Sequence, residues 1–526
     1  MKNTNSDGVS SCVQHYFTFS DNAQWSEKIE RLSQAFLCQS HISQQMDVKG
    51  LQHQFQFVDI PMNGCSEQAF LAEITQAVLP YSINTGSPYF IGHMTALLPN
   101  FMRPLAKLKS TLNQNMVKLE TANATTFYEK QALAMLHKAI YDRQAAEYQQ
   151  WLSSNHHPLG AITSGGTLAN MMALQLARAR SLAKYGDVEA LGVSGLMQRA
   201  GYQRAVVIVS ELGHYSIKKS LGILGLGKNN LLTIPVDDHQ RMDIVALRKA
   251  LLQCQKDRDH VVAIVGIAGT TECGSFDPLD QIAALAQQFG HYFHVDGAWG
   301  GALVLSKKYR HLLKGIEQAD SVTIDGHKQL YLPMGMGVLM LKEPQSSAAI
   351  ANEANYIIRR NSFDLGRFSV EGSRPANVFY LQAGLKLLGR EGYAEVLDGN
   401  IDTTKQMAAE VDDLAEFELL TSPQSNIFLY RYLPQSMRTK KQLSKADNDF
   451  IDVCNVRLQS VQKSQGNSFV SRTLFKYKGG GTVVALRVVI ANPLTTLAHC
   501  QAVLNEQKAL AHEVQCLLQP LAAEYD

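Results

Sequence analysis

The sequence predicts an α/β fold in which a mainly parallel sheet is covered by helices and followed by a smaller α+β domain. Between about residues 101 and 385, short apolar runs alternate with amphipathic helical patterns, which is typical of a largely parallel sheet. After about residue 386 the pattern changes to helices with two or three strands. We therefore expect an N-terminal helical segment (1–100), a large domain (101–385) and a C-terminal small domain (386–526).

The predicted strands of the large domain are short and apolar, and they cover 205–209, 261–267, 292–295, 322–324 and 337–341. Its helices show apolar residues at three- and four-residue spacing over 168–185, 244–255 and 279–289. The clearest strand of the small domain is 482–490, and the polar segment 434–447 predicts an exposed excursion. Ligands of parallel sheets bind outside the carboxyl ends of the strands, so residues that follow these runs are the candidates for function.

Composition excludes several classes of protein. The chain has 526 residues, of which 45% are hydrophobic and 18% charged, as in globular proteins. A formal net charge of +2 and the absence of a basic run argue against a nucleic-acid-binding surface. The eight cysteines form no CxxC pair, which indicates reduced thiols in a cytoplasm, and no metal site is expected. A polar start and the lack of a long apolar run predict neither a signal peptide nor a membrane helix.

An acidic residue and a lysine follow consecutive predicted strands. Asp296 ends the run His294-Val295-Asp296, and Lys328 follows Asp325-Gly326-His327 after the next strand. Pyridoxal 5'-phosphate (PLP) needs an amine with which to form a Schiff base, and a carboxylate beside its pyridine nitrogen. On its own, the pair is more simply explained as a surface lysine and a strand-end aspartate.

Three further motifs stand at the ends of predicted strands or the start of a helix. The run Thr163-Ser164-Gly165-Gly166-Thr167 precedes a helix and could bind phosphate through its backbone, although any helix cap could have this pattern. His214 could lie flat on a cofactor ring or be structural, and the hydroxyl of Thr271 could contact a ligand or belong to a polar loop. A Walker loop and a Rossmann GxGxxG motif are both absent from the sequence.

Together these motifs carry a resemblance to a known family. From about residue 80 to 510 the chain resembles the group II PLP-dependent amino-acid decarboxylases, and within them the bacterial enzymes that act on L-aspartate. The matching stretches are SPYFIGHMTALLP (87–99), LNQNMVKLET (112–121), TSGGTLAN (163–170), AGTTECGSFDPLD (268–280), KYRHLLKGIEQADSVTIDGHKQLYLPMGMG (308–337), VEGSRP (370–375) and LRVVIANPLTT (486–496). The resemblance implies PLP transferase fold type I.

The resemblance also implies the residues that contact the cofactor. Lys328 would form the Schiff base, Asp296 would pair with the pyridine nitrogen, and His214 would stack on the ring. The remaining implied contacts are Gly166, Thr167 and Ser321 at the phosphate with His327 close by, Thr271 near the ring substituents, and Ala298 beneath the ring.

For the substrate, the resemblance implies that Arg487 binds the distal carboxylate of an acidic amino acid. A guanidinium can grip a carboxylate with two charge-assisted hydrogen bonds, which a lysine cannot copy. His93 and Thr95 match a Gln and a Ser of the family that contact the substrate side chain, and the charge of His93 would depend on pH. Arg487 could instead flank an edge strand, and His93 could be structural.

The chain departs from the family pattern at three places. Asp325-Gly326 replaces the common Asn-Pro, and Gly297 replaces an Ala after Asp296. In the loop 356–368, Phe363 stands where many relatives have the Tyr that protonates the substrate carbon. The proton donor is therefore unassigned, with Tyr356 as a candidate.

We expect decarboxylation of L-aspartate to β-alanine in a homodimer that shares its active site between subunits. L-glutamate giving GABA is the alternative, because one methylene is worth only about 1–3 kcal/mol in a pocket, and L-cysteine sulfinate is a further alternative. An aminotransferase or a carbon–carbon lyase would also use an Asp and a Lys with PLP, but neither class would explain Arg487. A non-enzymatic scaffold would have lost Asp296 or Lys328.

Overall fold

The computed structural model describes residues 16–17, 22–44, 48–352, 361–477 and 481–522. Its helices, numbered in chain order, are α1 Ala23–Leu37, α2 Val48–Gln54, α3 Glu67–Glu73, α4 Met102–Leu112, α5 Leu119–Ala122, α6 Ala124–Tyr141, α7 Ala145–Ser153, α8 Gly166–Leu182, α9 Val188–Ala200, α10 Tyr215–Ile223, α11 Ile244–Asp257, α12 Leu279–Phe289, α13 Val378–Ala383, α14 Gly389–Asp413, α15 Lys445–Gln465 and α16 Leu497–Ala522. None of the helices in these ranges is long and apolar enough to cross a membrane.

The large domain is built on a seven-stranded sheet with the spatial order β1-β7-β6-β5-β4-β2-β3. Its strands are β1 Gly160–Thr163, β2 Ala205–Ser210, β3 Leu231–Ile234, β4 His260–Ile267, β5 Tyr292–Asp296, β6 Ser321–Asp325 and β7 Gly337–Leu341. The pairs from β3 to β6 are parallel, whereas β7 is antiparallel to both β6 and β1. The predicted mainly parallel sheet is confirmed.

Helices cover both faces of this sheet because its strands are apolar on both sides. Along β2, Val206 and Ile208 join the core on the α6, α11 and α12 face, whereas Val207 and Val209 join the core beneath α8 and α10. This alternation follows from the two-residue period of a strand. The carboxyl edge of the sheet stays clear of both layers, and there the polar motifs gather.

The small domain has four antiparallel strands, whereas the sequence predicted two or three. They are β8 Phe417–Leu419, β9 Ile427–Tyr432, β10 Ser471–Lys476 and β11 Thr482–Val489, in the spatial order β10-β11-β9-β8. Ile91, from the N-terminal segment, is buried in the core of this domain. Backbone hydrogen bonds join Ile91 to Phe469 and Val489, so residues near 91 lie against the small-domain sheet.

Two strands escaped prediction, and several boundaries moved. β1 and β3 have four residues each, too few to show a period, and both lie at edges of the sheet. Helix α8 begins at Gly166 rather than at residue 168, with Gly165 as its N-cap. The predicted excursion 434–447 contains one helical turn, Gln435–Met437, before α15 begins at Lys445.

Candidate active site

A cavity of about 530 Å³ opens at the carboxyl edge of the large sheet. Its walls come from the segments that follow β1, β2, β4, β5 and β6, as expected for a parallel sheet. Most of the residues singled out from the sequence line it: Gly166, Thr167, His214, Thr271, Asp296, Ala298, His327 and Lys328. Short strands of one sheet therefore bring together motifs that are far apart in the chain.

Asp296 is buried at the end of β5, and both of its carboxylate oxygens accept hydrogen bonds. Oδ1 accepts from the backbone N–H of Ala298 at 3.1 Å, and Oδ2 accepts from Nδ2 of Asn170 at 2.9 Å. The carboxylate is thus oriented, and it borders the cavity where a cationic ring nitrogen could pair with it.

Lys328 borders the same cavity and forms an ion pair with Asp325. Its Nζ lies 3.0 Å from Oδ2 of Asp325, whose side chain is 5% exposed. Nδ1 of His327 donates to the carbonyl of Met336 at 2.8 Å, which leaves Nε2 of His327 3.8 Å from the same Asp325 oxygen. Asp325 therefore holds the amine close to the cavity wall and beside His327.

The amino end of α8 lies at the cavity and suits an anion. Gly165 precedes the helix and has no side chain with which to cap it, so the first backbone N–H groups of α8 remain available to a ligand. A Cβ at Gly166 would lie 2.7 Å from Oδ2 of Asp325. Only glycine permits this approach of the helix to β6, and Thr167 adds a hydroxyl beside it.

His214 caps α10 and keeps its ring at the cavity. Its Nδ1 accepts from the backbone N–H of Ser216 at 3.3 Å and lies 2.8 Å from the Ser216 hydroxyl. Because Nδ1 is the acceptor, the neutral ring carries its proton on Nε2. Burial lowers the pKa of His214, and the nearby charge of Asp296 opposes that effect only in part. The ring is neutral at pH 7.

Ser321 lies apart from the other implied phosphate contacts. It is the first residue of β6, at the amino end of the strand, and it is fully buried. Its hydroxyl lies 2.8 Å from Nδ1 of His294, and Ser321 does not line the cavity. The parallel strands face the cavity with their carboxyl ends, so the structure does not bring Ser321 to the predicted phosphate position.

Arg487 reaches the site from the small domain. Its side chain lies on β11, is 8% exposed, and donates from Nε to the carbonyl of Thr271 at 2.8 Å. Its Nη1 donates to the Ser471 hydroxyl at 3.1 Å and to the carbonyl of Gly92 at 3.4 Å. Burial lowers the pKa of Arg487 to about 10, so the guanidinium is charged at neutral pH. Thr271 joins this cation to the cavity, since it lines the cavity and also holds Arg487.

His93 and Thr95 lie on the same side of the site but outside the residues that line the cavity. Nδ1 of His93 is 3.3 Å from the Thr95 hydroxyl. The pKa of His93 is lowered first by partial burial of the ring and then by the positive charges of Arg487 and Lys328. The charges of both cations therefore act on His93, which is neutral at pH 7.

Glu272 adds a carboxyl beside Arg487 that the sequence did not single out. Its Oε2 is buried, and no described residue gives it a hydrogen bond. Burial raises the pKa of Glu272, while Arg487 acts in the opposite direction. This carboxyl makes the surroundings of Arg487 less cationic whenever it is ionised.

The loop expected to supply a proton donor lies partly outside the described residues, and Tyr356 is among those not described. Phe363 is described, and it packs on Phe127 with ring centroids 5.2 Å apart and beneath the ammonium of Lys130 at 4.7 Å. Asp364 accepts from the backbone N–H of Leu119 at 2.8 Å. These contacts hold 363–364 away from the cavity.

Two residues that matter to the geometry were given no role from the sequence. Asn170 holds Asp296, and Asp325 holds Lys328. Asn170 follows Gly166 by one helical turn and so faces the same side of α8, which is the signal that could have revealed it. Asp325 is the last residue of β6, just as Asp296 is the last residue of β5.

A comparison with known families decides the class of enzyme. The profile of the pyridoxal-dependent decarboxylase conserved domain matches residues 53–433, which is more than half of the chain. The chain belongs to this family. The decarboxylase is thus a carboxy-lyase, and PLP is its cofactor.

Individual relatives agree with this result along most of the chain. The decarboxylase is 38% identical to aspartate 1-decarboxylase of Aliivibrio fischeri, over 90% of this chain and 89% of that protein. It is 27% identical to L-2,4-diaminobutyrate decarboxylase of Acinetobacter baumannii, over 86% and 85% of the two chains. The apo crystal structure of mouse CSAD, at 24% identity, superposes with a TM-score of 0.81 over 93% of this chain and 98% of its own, which supports the fold.

The described residues of the decarboxylase fit PLP. The cofactor requires an amine, an anion-binding element and a carboxylate, and Lys328, the start of α8 and Asp296 supply these groups around one cavity. The approach of Gly166 to Asp325, which a Cβ would obstruct, brings the start of α8 to the edge of that cavity.

Proposed function

We propose that this decarboxylase converts L-aspartate to β-alanine and CO2. Arg487 carries this proposal, because it is a buried cation joined to the cofactor cavity through the carbonyl of Thr271. Burial raises the pKa of the neighbouring Glu272 carboxyl, which weakens it as an anionic partner for this guanidinium, and the distal carboxylate of an acidic substrate would supply one. The 38% identity to an aspartate 1-decarboxylase supports the same choice.

On the cofactor side, each residue has a proposed task. PLP, when bound, supplies a ring that accepts the electrons released as the carboxylate leaves. Lys328 would provide the amine that holds the cofactor, and Asp296 would keep a proton on the ring nitrogen. Gly166 and Thr167 would hold the phosphate at the start of α8 with His327 close by, and His214, Thr271 and Ala298 would contact the ring.

On the substrate side, Arg487 fixes the direction in which the amino acid lies. With its distal carboxylate held there, the amino acid would lie with its α-carboxylate turned away from Arg487. Positioning of this kind can contribute about 7–11 kcal/mol to a reaction barrier. His93 and Thr95 contact the side chain of the substrate, and because His93 is neutral it leaves Arg487 as the main anchor at pH 7.

L-glutamate is the second candidate, and L-2,4-diaminobutyrate is the contrasting one. Glutamate has the distal carboxylate that Arg487 would bind, with one more methylene to fit. Diaminobutyrate carries a cation at its distal end, which Arg487 would repel, although a relative at 27% identity bears that substrate in its name. An ionised Glu272 would weaken this repulsion, but the pKa of Glu272 is raised by burial.

The test is decarboxylation by the purified protein with PLP and one amino acid at a time: L-aspartate, L-glutamate, L-cysteine sulfinate or L-2,4-diaminobutyrate. Released CO2 is measured and the amine product is identified by chromatography. We expect β-alanine from L-aspartate at the highest kcat/KM. GABA as the fastest product would move the substrate to L-glutamate, and preferred turnover of diaminobutyrate would contradict the role of Arg487.

We also propose that the protein acts as a cytoplasmic homodimer whose two subunits complete each other's active site. Support comes from a run of apolar side chains in the N-terminal segment that is largely exposed in one chain, Phe57 (78%), Val58 (87%), Ile60 (94%) and Met62 (97%). Exposed apolar patches of this kind mark contact surfaces. Sedimentation velocity on the PLP-loaded protein tests it, and a monomer with full activity would contradict it.

A further inference from the structure

A buried chain of hydrogen bonds runs beneath the cofactor cavity from the amino end of β6 to Asp296. The hydroxyl of Ser321 lies 2.8 Å from Nδ1 of His294, and Nε2 of His294 lies 3.0 Å from Oδ1 of Asn170. Nδ2 of Asn170 donates to Oδ2 of Asp296 at 2.9 Å. Three side chains thus connect the far side of the sheet to the carboxylate.

The acceptors fix the direction of every proton in this chain. A carboxylate only accepts, so the amide of Asn170 must turn its Nδ2 toward Asp296 and its Oδ1 toward His294. Nε2 of His294 must then carry a proton and donate it. In the neutral ring Nδ1 is therefore the acceptor of the Ser321 hydroxyl at 2.8 Å, although the Ser321 carbonyl also lies 3.2 Å from Nδ1. All three bonds therefore donate toward Asp296, with His294 in one neutral tautomer.

The surroundings keep that tautomer in place. His294 and Ser321 have no exposed surface, and Asn170 is 1% exposed, so water does not compete for these bonds. Burial lowers the pKa of His294 to about 4, although the charge of Asp296 opposes the shift. The ring is uncharged throughout the neutral range.

Asn170 has a second branch that reaches the other group expected at the ring. Its Nδ2 also lies 3.2 Å from the Ser216 hydroxyl, and that hydroxyl lies 2.8 Å from Nδ1 of His214. Because the Asn170 amide cannot flip without breaking its bond to His294, one orientation sets both Asp296 and His214.

We propose that His294 is a positioning residue that locks the Asn170 amide and so fixes Asp296 and His214 against the cofactor. This inference rests on the proposed pairing of Asp296 with the ring nitrogen. It does not depend on which amino acid is decarboxylated. If His294 were lost, Asn170 could rotate, and Asp296 would lose a hydrogen bond on the oxygen nearest α8.

The test compares His294→Leu with His294→Gln, whose amide can still donate at the position of Nε2. His137 provides a matched control, since it is a buried histidine in the same domain with two hydrogen bonds, to Tyr148 and to the Leu341 carbonyl, and is remote from the cavity. For each variant we would measure the Kd for PLP, the pH dependence of the visible absorbance of bound PLP, kcat for L-aspartate and the melting temperature.

We expect His294→Leu to bind PLP about 10- to 100-fold more weakly, in line with the loss of one hydrogen bond to a charged group. The ring-nitrogen transition in the absorbance should shift to lower pH, because Asp296 holds the proton less well. His294→Gln should recover most of both properties. His137→Leu should melt earlier yet keep the PLP affinity and the pH profile of the parent protein.

Equal effects of His294→Leu and His137→Leu on PLP would overturn the proposal and leave His294 a structural residue. If His294→Leu does not fold, Ser321→Ala gives the same test with a smaller change. Without the hydroxyl, Nδ1 of His294 faces only the Ser321 carbonyl, 3.2 Å away, which favours a proton on Nδ1 and removes it from Nε2. An unchanged absorbance profile in Ser321→Ala would then overturn the proposal. PLP affinity and absorbance need no substrate, so a parent protein inactive on L-aspartate would refute the proposed function without deciding the role of His294.

Discussion

Asp296 and Lys328 stand at the ends of neighbouring strands of a single sheet, whereas Arg487 comes from a different sheet and is held partly by Gly92, 395 residues away in the chain. The residues proposed to bind the cofactor, here called the cofactor side, therefore belong to one domain. The substrate side exists only when the small domain and the segment near residue 92 pack against the large domain.

This difference separates two functions of the same site. PLP is the cofactor of the family, and the residues proposed to contact it lie at the carboxyl edge of the large sheet. Relatives with different substrates in their names match the same chain, which is consistent with a substrate side that varies around a constant cofactor side. Changes on one side should therefore leave the properties of the other side largely intact.

The largest effect is expected for Lys328→Ala, which removes the amine on the cofactor side. Activity should fall by at least about 10³-fold, since the covalent attachment of PLP and any proton transfer by this amine are both lost. Borohydride reduction followed by mass spectrometry checks whether PLP is attached. Lys219 also lines the cavity, so Lys219→Ala is the control and should still be labelled at Lys328. Labelling of Lys328→Ala at another lysine would contradict the assignment.

Asp296→Asn should come next, with a loss of about 10²- to 10³-fold in kcat, as for removal of one preorganised charge partner. KM for L-aspartate should change little, because the substrate side is untouched. Steady-state kinetics with L-aspartate check this. Asp325→Asn is the matched comparison, because Asp325 is a second buried carboxyl at the same edge. Its loss in kcat should be smaller, because Asp325 pairs with Lys328 and not with the ring nitrogen. A larger loss in Asp325→Asn would reverse the two roles.

Gly166→Ala should weaken PLP binding by about 10-fold. This is the lower part of the range of about 1–3 kcal/mol that an added methyl group costs where it does not fit. The new Cβ would lie 2.7 Å from the Asp325 carboxylate and push α8 away from the phosphate position. Equilibrium dialysis of PLP measures the affinity. Gly290→Ala is the space-matched control, because a Cβ there meets no atom within 4 Å, although its φ of +70° will cost stability. Unchanged PLP affinity in Gly166→Ala would contradict the phosphate site.

The smallest effect belongs to His93→Gln on the substrate side. At pH 7 KM for L-aspartate should change by less than about 5-fold, the size expected of a partly exposed contact. The pKa of His93 lies below its usual value, so acidification from pH 7 adds a positive charge near Arg487, and KM of the parent protein should fall. In His93→Gln this fall should vanish. A pH dependence of KM that survives the substitution would show that another group causes it.

The cofactor side could be predicted from the sequence to a large extent. Asp296 is the last residue of an apolar strand, Lys328 lies three residues beyond the next one, and Gly165 and Gly166 mark a helix start. Local pattern and the rules for parallel sheets therefore place them together. The same rule excludes Ser321, which begins its strand and faces the other edge of the sheet. The resemblance alone had placed it at the phosphate.

The substrate side could not be predicted from local pattern. Nothing in the sequence around Arg487 or Gly92 shows that they meet, since their contact depends on how two domains pack. Asn170 and His294 also escaped notice, because a buried polar chain is visible only when its members from α8, β5 and β6 are in place. Their order in the sequence carries no sign of it.

The most direct test of this division is Arg487→Met, with Arg431→Met as a control that removes a fully buried arginine from the neighbouring strand β9. Two quantities are measured for each folded variant, the Kd for PLP and kcat/KM for L-aspartate. Arg487→Met should bind PLP within about 3-fold of the parent protein and lose about 10²-fold or more in kcat/KM, the cost of one or more charged hydrogen bonds. An Arg487→Met protein that loses PLP affinity and turnover together, or keeps its turnover of L-aspartate, would contradict a separate substrate anchor at Arg487.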